Sequence, residues 1–148
     1  FFMVGENVCR NPGLFEEIKK RGHSWGNHTM HHIQGMKVRS VNYLRDLNAA
    51  HTVIQSSLFR PPHGIIRWAQ AKVIKNHYNI VMYDLVTRDY SRKLSPDQVF
   101  ENVRRYARNG SIIVFHDSLK ARKNIMATLP RAIEWLQSEG YEFARLPM

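Results

Sequence analysis

Six short apolar runs, each too brief for a stable helix, alternate without exception with five longer segments of helical period. That pattern points to parallel strands, because a parallel pair needs a crossover of a dozen or more residues and a helix supplies it. The runs cover 1–4, 24–27, 58–59, 80–83, 112–115 and 141–146. Asn11-Pro12 offers an N-cap and first-turn proline for a helix with Leu14, Phe15 and Ile18 on its apolar face, closed by Gly22. Ser40 is placed to cap a helix to about Ser57 that carries Val41, Leu44, Leu47 and Val53-Ile54 on one period. A third helix is expected over 65–76 and a fourth from Ser95-Pro96-Asp97 to Arg108. A fifth covers 125–138, with a break expected at Pro130. Ile112 to Phe115 is the most apolar run, of the kind buried on both faces.

No repeat, low-complexity tract or linker divides the 148 residues, so one α/β domain is expected over 1–148. No apolar stretch approaches the roughly 18 residues a membrane-spanning helix needs. Cys9 is the single cysteine, which rules out an internal disulfide, and its expected role is that of a buried or half-buried small apolar residue. A formal charge of +10 favours polyanions. The basic residues are scattered and not interleaved with aromatics, so no specific nucleic-acid site is expected.

In a parallel sheet the loops at the carboxyl ends of the strands share one rim, where function gathers. Four polar clusters follow predicted strands: His28 to His32, Arg60 to Gly64, Asp84 to Tyr90, and His116-Asp117. His28 and His32 are four apart, and a pair of neutral imidazoles at short spacing can chelate one borderline cation such as zinc. Arg60-Pro61-Pro62-His63-Gly64 sets a permanent cation before two prolines that stiffen the turn; a guanidinium can orient a carboxylate, and a rigid turn can aim a backbone N–H at an oxyanion. Asp89 is the better partner for a catalytic imidazole, while Asp84 equally suits a turn cap. His116, leaving an apolar strand, fits a general acid.

These residues resemble the polysaccharide deacetylases, the NodB-homology or carbohydrate esterase 4 family. The family's motif of a His followed by Ser/Thr and then a second His is similar to His28-Thr29-Met30-His31-His32, which implies His28 and His32 as metal ligands and leaves His31 out of the first shell. Arg-x-Pro-aromatic-Gly resembles Arg60-Pro61-Pro62-His63-Gly64, Asp-x-x-Asp-Trp resembles Val86-Thr87-Arg88-Asp89-Tyr90, and Leu-x-His resembles Val114-Phe115-His116. The resemblance implies a distorted (β/α) barrel, a divalent metal (zinc above all) and hydrolysis of N-acetyl groups from an N-acetylated polysaccharide. His116 would be the general acid, Asp89 its orienter and Arg60 the partner of the base, with His63, Tyr90 and Val114 contacting substrate.

Departures from the family pattern are His63 for an aromatic, Val86 for Asp, Tyr90 for Trp and Val114 for Leu. They bear on substrate range more than on reaction type, since a backbone N–H at His63 remains available as an oxyanion donor. The family's Thr-Phe-Asp-Asp-Gly motif, which bears the base and a third metal ligand, does not occur, and no two aspartates are adjacent. The expectation is an incomplete barrel lacking its first strand, and a 148-residue chain inactive without that motif. The alternative is a non-catalytic polymer-binding remnant of the fold.

Overall fold

The computed structural model describes residues 1–147 and divides them into two compact units: Phe1–Met82 with the chain end from Arg145 onward, and Tyr83–Ala144. The first unit holds β1 (Phe2–Met3), α1 (Gly5–Arg10), α2 (Pro12–Lys20), β2 (Gly26–Asn27), α3 (Ser40–Ile54), β3 (Leu58–Phe59), α4 (Trp68–Ile74) and β4 (Asn79–Ile80). Its strands form one parallel sheet in the order β1-β2-β3-β4, with β1 at an edge. The second unit holds β5 (Leu85–Val86), α5 (Pro96–Tyr106), β6 (Ile113–Val114) and α6 (Arg122–Ser138), and β5 pairs with β6 in parallel. The parallel α/β class read from the alternation is the observed one.

The first unit is built on two apolar clusters. Tyr43, Leu47, Phe59, Ile74 and Tyr78 form one, and Val8, Phe15, Ala50 and Ile54 the other. Helix α3 serves both, through Tyr43, Leu47, Ala50 and Ile54 at helical spacing. Val41, expected on that face, is exposed, and Leu14 of α2 is exposed as well. In the second unit Phe100 and Val103 of α5 meet Ala132 and Leu136 of α6.

Several local expectations need correction. Helix α1 lies between the first expected strand and helix, where no element was expected, and its Gly5 and Val8 are buried. Cys9 is therefore exposed, about 100° round the helix from Val8, and is not the buried residue expected. Ser40 starts α3 without capping it, because the N-cap position falls on Arg39. Ser95 does cap α5, accepting from Gln98 N–H at 3.2 Å while Gln98 Oε1 accepts from Ser95 N–H at 2.9 Å. Helix α6 continues through Pro130. Both Pro130 and Met126, whose carbonyl loses its partner, lie on the exposed side, where water can satisfy that carbonyl. Ile112 to Phe115 is half-buried, since β6 has only β5 beside it in its sheet, and Leu85–Val86 is a strand the apolar runs missed. Tyr141–Leu146 joins no sheet; the chain end is held instead by Ser24 Oγ donating to the Leu146 carbonyl at 2.6 Å and Arg145 donating to the Gly22 carbonyl.

Asp84 proves to be a turn anchor. Its carboxylate accepts from Ile112 N–H at 2.8 Å and Ser111 Oγ at 2.9 Å, with Arg108 Nε at 3.3 Å, and these contacts, led by the Ile112 amide, hold its carboxyl below the usual aspartate range. A depressed folded value adds stability above the ordinary aspartate pKa of about 4, which fades as pH falls through the folded value. Asp84→Asn should lower the unfolding midpoint at pH 7, with the gap to wild type closing below about pH 4; a gap independent of pH would contradict this. Leu47, almost fully buried, should cost about 2–5 kcal/mol in urea unfolding when replaced by alanine, against under about 0.5 kcal/mol for the exposed Val41→Ala.

Candidate functional site

His28, Arg60, Asp89 and His116 each follow a strand at its carboxyl end, whereas Asp84 precedes β5. In the first unit, His28 follows β2 and Arg60 follows β3, and the parallel register places Asn27 beside Phe59, so the two clusters leave the sheet side by side. The His28 ring is set by the neighbouring strand end: Nδ1 donates to the Arg60 carbonyl at 2.6 Å. A carbonyl can only accept, so Nδ1 carries the hydrogen and Nε2 bears the lone pair of the neutral ring. His32 follows in a left-handed backbone conformation, φ 54°, with its ring centroid 4.9 Å from that of His28 and 4.8 Å from that of His63. His63 is itself left-handed, φ 60°, in the turn after Pro61-Pro62. Thr29, φ 65°, lies between the histidines with its amide bonded to Asn27 Oδ1 at 2.8 Å.

His31 turns elsewhere. Its Nδ1 meets Asp46 Oδ1 at 2.6 Å and its amide donates to Asp46 Oδ2 at 3.0 Å, and the first of these bonds raises the imidazole above its ordinary range. The Arg60 guanidinium donates to the carbonyls of Val81 at 3.1 Å and Met82 at 3.2 Å and packs 4.0 Å from the centre of the Phe2 ring.

Two imidazoles bound to one tetrahedral cation at Zn–N distances near 2.0–2.1 Å have ring centres roughly 5 Å apart. The 4.9 Å separation of His28 and His32, and the tautomer set at His28, suit such a donor pair. Among the described residues no three His, Cys, Asp or Glu side chains gather as a metal-holding group. The pair thus fits as two ligands of an ion, and not as a full shell.

In the second unit Asp89 follows β5 and His116 follows β6. Asp89 is fully buried, and its carboxylate accepts three N–H groups: His116 Nδ1 at 2.7 Å, the His116 amide at 2.6 Å and the Tyr90 amide at 3.0 Å. His116 is half-exposed, so Asp89 grips the ring from the protein side. Tyr90 stands edge-on to that ring, centroids 4.8 Å apart and planes at 88°. Val114 lies within β6 opposite Val86, and its carbonyl accepts from Thr87 Oγ1 at 2.9 Å. The buried Asn124 of α6, absent from the sequence reading, donates to the carbonyls of Asp89, Ser91 and Leu94 at 2.9, 3.3 and 3.2 Å and so fixes the loop that presents Asp89. Nothing in the sequence marks it beyond a polar residue on the inner face of a helix.

The model of the polysaccharide deacetylase family matches residues 1–81, more than half of the chain. The chain belongs to this family. A peptidoglycan-N-acetylglucosamine deacetylase of Bacillus cereus is 31% identical over 151 aligned positions, covering 97% of the chain and 70% of that protein. A peptidoglycan-N-acetylglucosamine deacetylase of Listeria monocytogenes is 28% identical over 99% of the chain but only 31% of its own length. Among solved structures, a peptidoglycan N-acetylglucosamine deacetylase crystallised with 4-naphthalen-1-yl-N-oxidanyl-benzamide superposes with a TM-score of 0.89 at 28% identity, over 99% of the chain and 72% of that structure. Relatives carry the names of peptidoglycan-N-acetylglucosamine and chitooligosaccharide deacetylases, and the family and fold expected from the motifs are borne out by these matches.

Asp89→Asn puts an amide N–H against one of three donors. It should destabilise the protein by about 1–3 kcal/mol in urea unfolding. It should also shift the His116 tautomer balance measured by ¹⁵N NMR; an unchanged tautomer would show that Asp89 does not set the ring.

Proposed function

We propose that the protein hydrolyses the N-acetyl group of amino sugars in a polysaccharide, with His28 and His32 holding a divalent cation and His116 acting as general acid. The single observation that carries the acid assignment is the Asp89 carboxylate, fully buried and bonded to both the amide and Nδ1 of His116. With Nδ1 so engaged, proton exchange falls to Nε2. In the reaction water adds to the acetyl carbon, its proton going to the family's base, and Nε2 gives its own proton to the amino-sugar nitrogen as the C–N bond breaks, leaving free amine and acetate. Asp89 acts through the ring as a positioning residue.

Zinc is the cation that two imidazole nitrogens favour over calcium or magnesium. When bound, it supplies Lewis acidity toward the acetamide carbonyl and toward water. Arg60 orients the base-bearing aspartate of the family's Asp-Asp motif, which does not occur in these 148 residues. His63, Tyr90 and Val114 contact the substrate, with the His63 turn offering a backbone N–H to the oxyanion. The reading as a glycan-binding domain without turnover rests on that same missing motif.

Two measurements test this. Zinc should bind the chain weakly, since catalytic sites take three protein ligands. Either His28→Ala or His32→Ala should abolish binding in a calorimetric titration, and undiminished affinity would refute the ligand pair. Acetate release from an N-acetylated chitin oligomer by the 148-residue chain should run about 10²–10⁴-fold below that of the chain extended with the Asp-Asp motif. Comparable turnover would show that the carboxylate argument is wrong.

A further inference from the structure

Trp68 opens α4 with 77% of its surface in solvent, while Trp25 and Trp135 are half-buried. A single exposed apolar side chain is unremarkable. The way this one is held is not. Gln70, fully buried, accepts from the Arg67 amide at 3.0 Å and donates Nε2 to the Gly35 carbonyl at 3.0 Å. Arg67 reaches to the same turn, Nε to the Gly35 carbonyl at 3.2 Å and Nη2 to the Met36 carbonyl at 2.7 Å. Only glycine suits position 35, because a Cβ there would stand 2.5 Å from Gln70 Oε1. A buried amide and a guanidinium therefore clamp the Gly35–Lys37 turn to the start of α4, and the clamped pair displays Met36 and Trp68 to solvent.

The clamp is continuous with the histidine cluster. The segments 32–36 and 63–70 touch at both ends, through the rings of His32 and His63 at one and through Arg67 and Gln70 on Gly35 and Met36 at the other. Charge adds a second, independent indication. Residues 31–82 contain seven Lys and Arg against one acidic residue, Asp46, which is engaged by His31. Lys72 Nζ lies 5.3 Å from the centre of the Trp68 ring. Lys72 covers one face of the indole, and the other face is matched by a pyranose whose C–H bonds meet the negative ring face and whose carboxylate substituents reach toward the ammonium.

We infer that Trp68 is a stacking platform for a flanking pyranose ring of a carboxylate-bearing N-acetylated glycan, the ring lying along the chain from the sugar presented to His28, His32 and His63. This rests on the deacetylase reading above. The indole supplies apolar contact, and Lys72 favours the anionic polymer over a neutral one.

The test is calorimetric binding of two tetrasaccharides to the intact chain, one alternating N-acetylglucosamine with N-acetylmuramic acid, the other N-acetylchitotetraose. The carboxylated probe should bind more tightly at low salt and lose that margin in 0.5 M NaCl, where the Debye length shortens to about 4 Å. Trp68→Ala should weaken both probes about tenfold or more, while Trp68→Phe retains most of the affinity. Circular dichroism should show both variants folded as wild type. Undiminished binding by Trp68→Ala, with wild type binding normally, overturns the platform and leaves the deacetylase reading intact. Failure of the wild-type chain to bind either probe overturns both. A neutral probe bound as tightly as the carboxylated one overturns the anionic preference. A shift from dimer to monomer in sedimentation on Trp68→Ala would show the patch to be an interface between copies and overturn the platform.

Discussion

Every strand among the described residues is two residues long, and that constraint governs the rest. A ladder so short cannot dictate the path of the loop that follows it, so the loops take their shape from buried polar side chains. In the first unit Asn27 accepts from the Thr29 amide and donates to the Leu47 carbonyl at 3.1 Å, tying the histidine loop to α3, and Gln70 holds the Gly35 turn. In the second unit Asp89 and Asn124 do the same for the loop after β5 and for His116. Each of these side chains is buried, where an unbonded amide or carboxylate would cost several kcal/mol by the usual ~2–7 kcal/mol for a polar group. Bonded, they make each loop a rigid mount.

The mounts also hold strain. Five non-glycine residues among those described have positive φ, and four of them, Thr29, His32, His63 and Arg88, belong to the motif loops. A left-handed conformation costs a residue with a Cβ on the order of 1–3 kcal/mol and persists only where the surroundings over-determine it. Glycine would relieve it at once, and would forfeit the rings of His32 and His63, which meet at 4.8 Å. The side chains themselves are what these turns retain at that cost.

Much of the architecture was readable in advance because strand–helix alternation and turn chemistry are local signals. The Ser95 capping box and the Asn11-Pro12 helix start sit where the residues indicated. The errors have a common cause. Helix α1 is only six residues long and owes its place to packing of Gly5 and Val8, so nothing periodic announces it. Tyr141–Leu146 has a strand's composition but no strand to pair with, and its end is tied down through Ser24, 122 residues away. Ile112 to Phe115 looked doubly buried because apolar character reveals affinity for a core and not how many neighbours a sheet provides. Asn124 and Gln70 drew no expectation, since a buried amide is recognisable only by the carbonyls it meets.

By itself the sequence determined the class of fold, the family, and which side chains stand at the carboxyl ends of strands, because in a parallel sheet chain order alone decides which end of each strand a loop leaves. It could not decide what those side chains do once there. The motif sets His28 and His32 apart from His31 but does not say what turns each ring. In the fold His28 is turned by the Arg60 carbonyl, His32 is set against His63, and His31 is bound by Asp46, 15 residues on. An imidazole's tautomer and direction follow from the partner of its other nitrogen, and each partner here comes from a segment brought close only by packing.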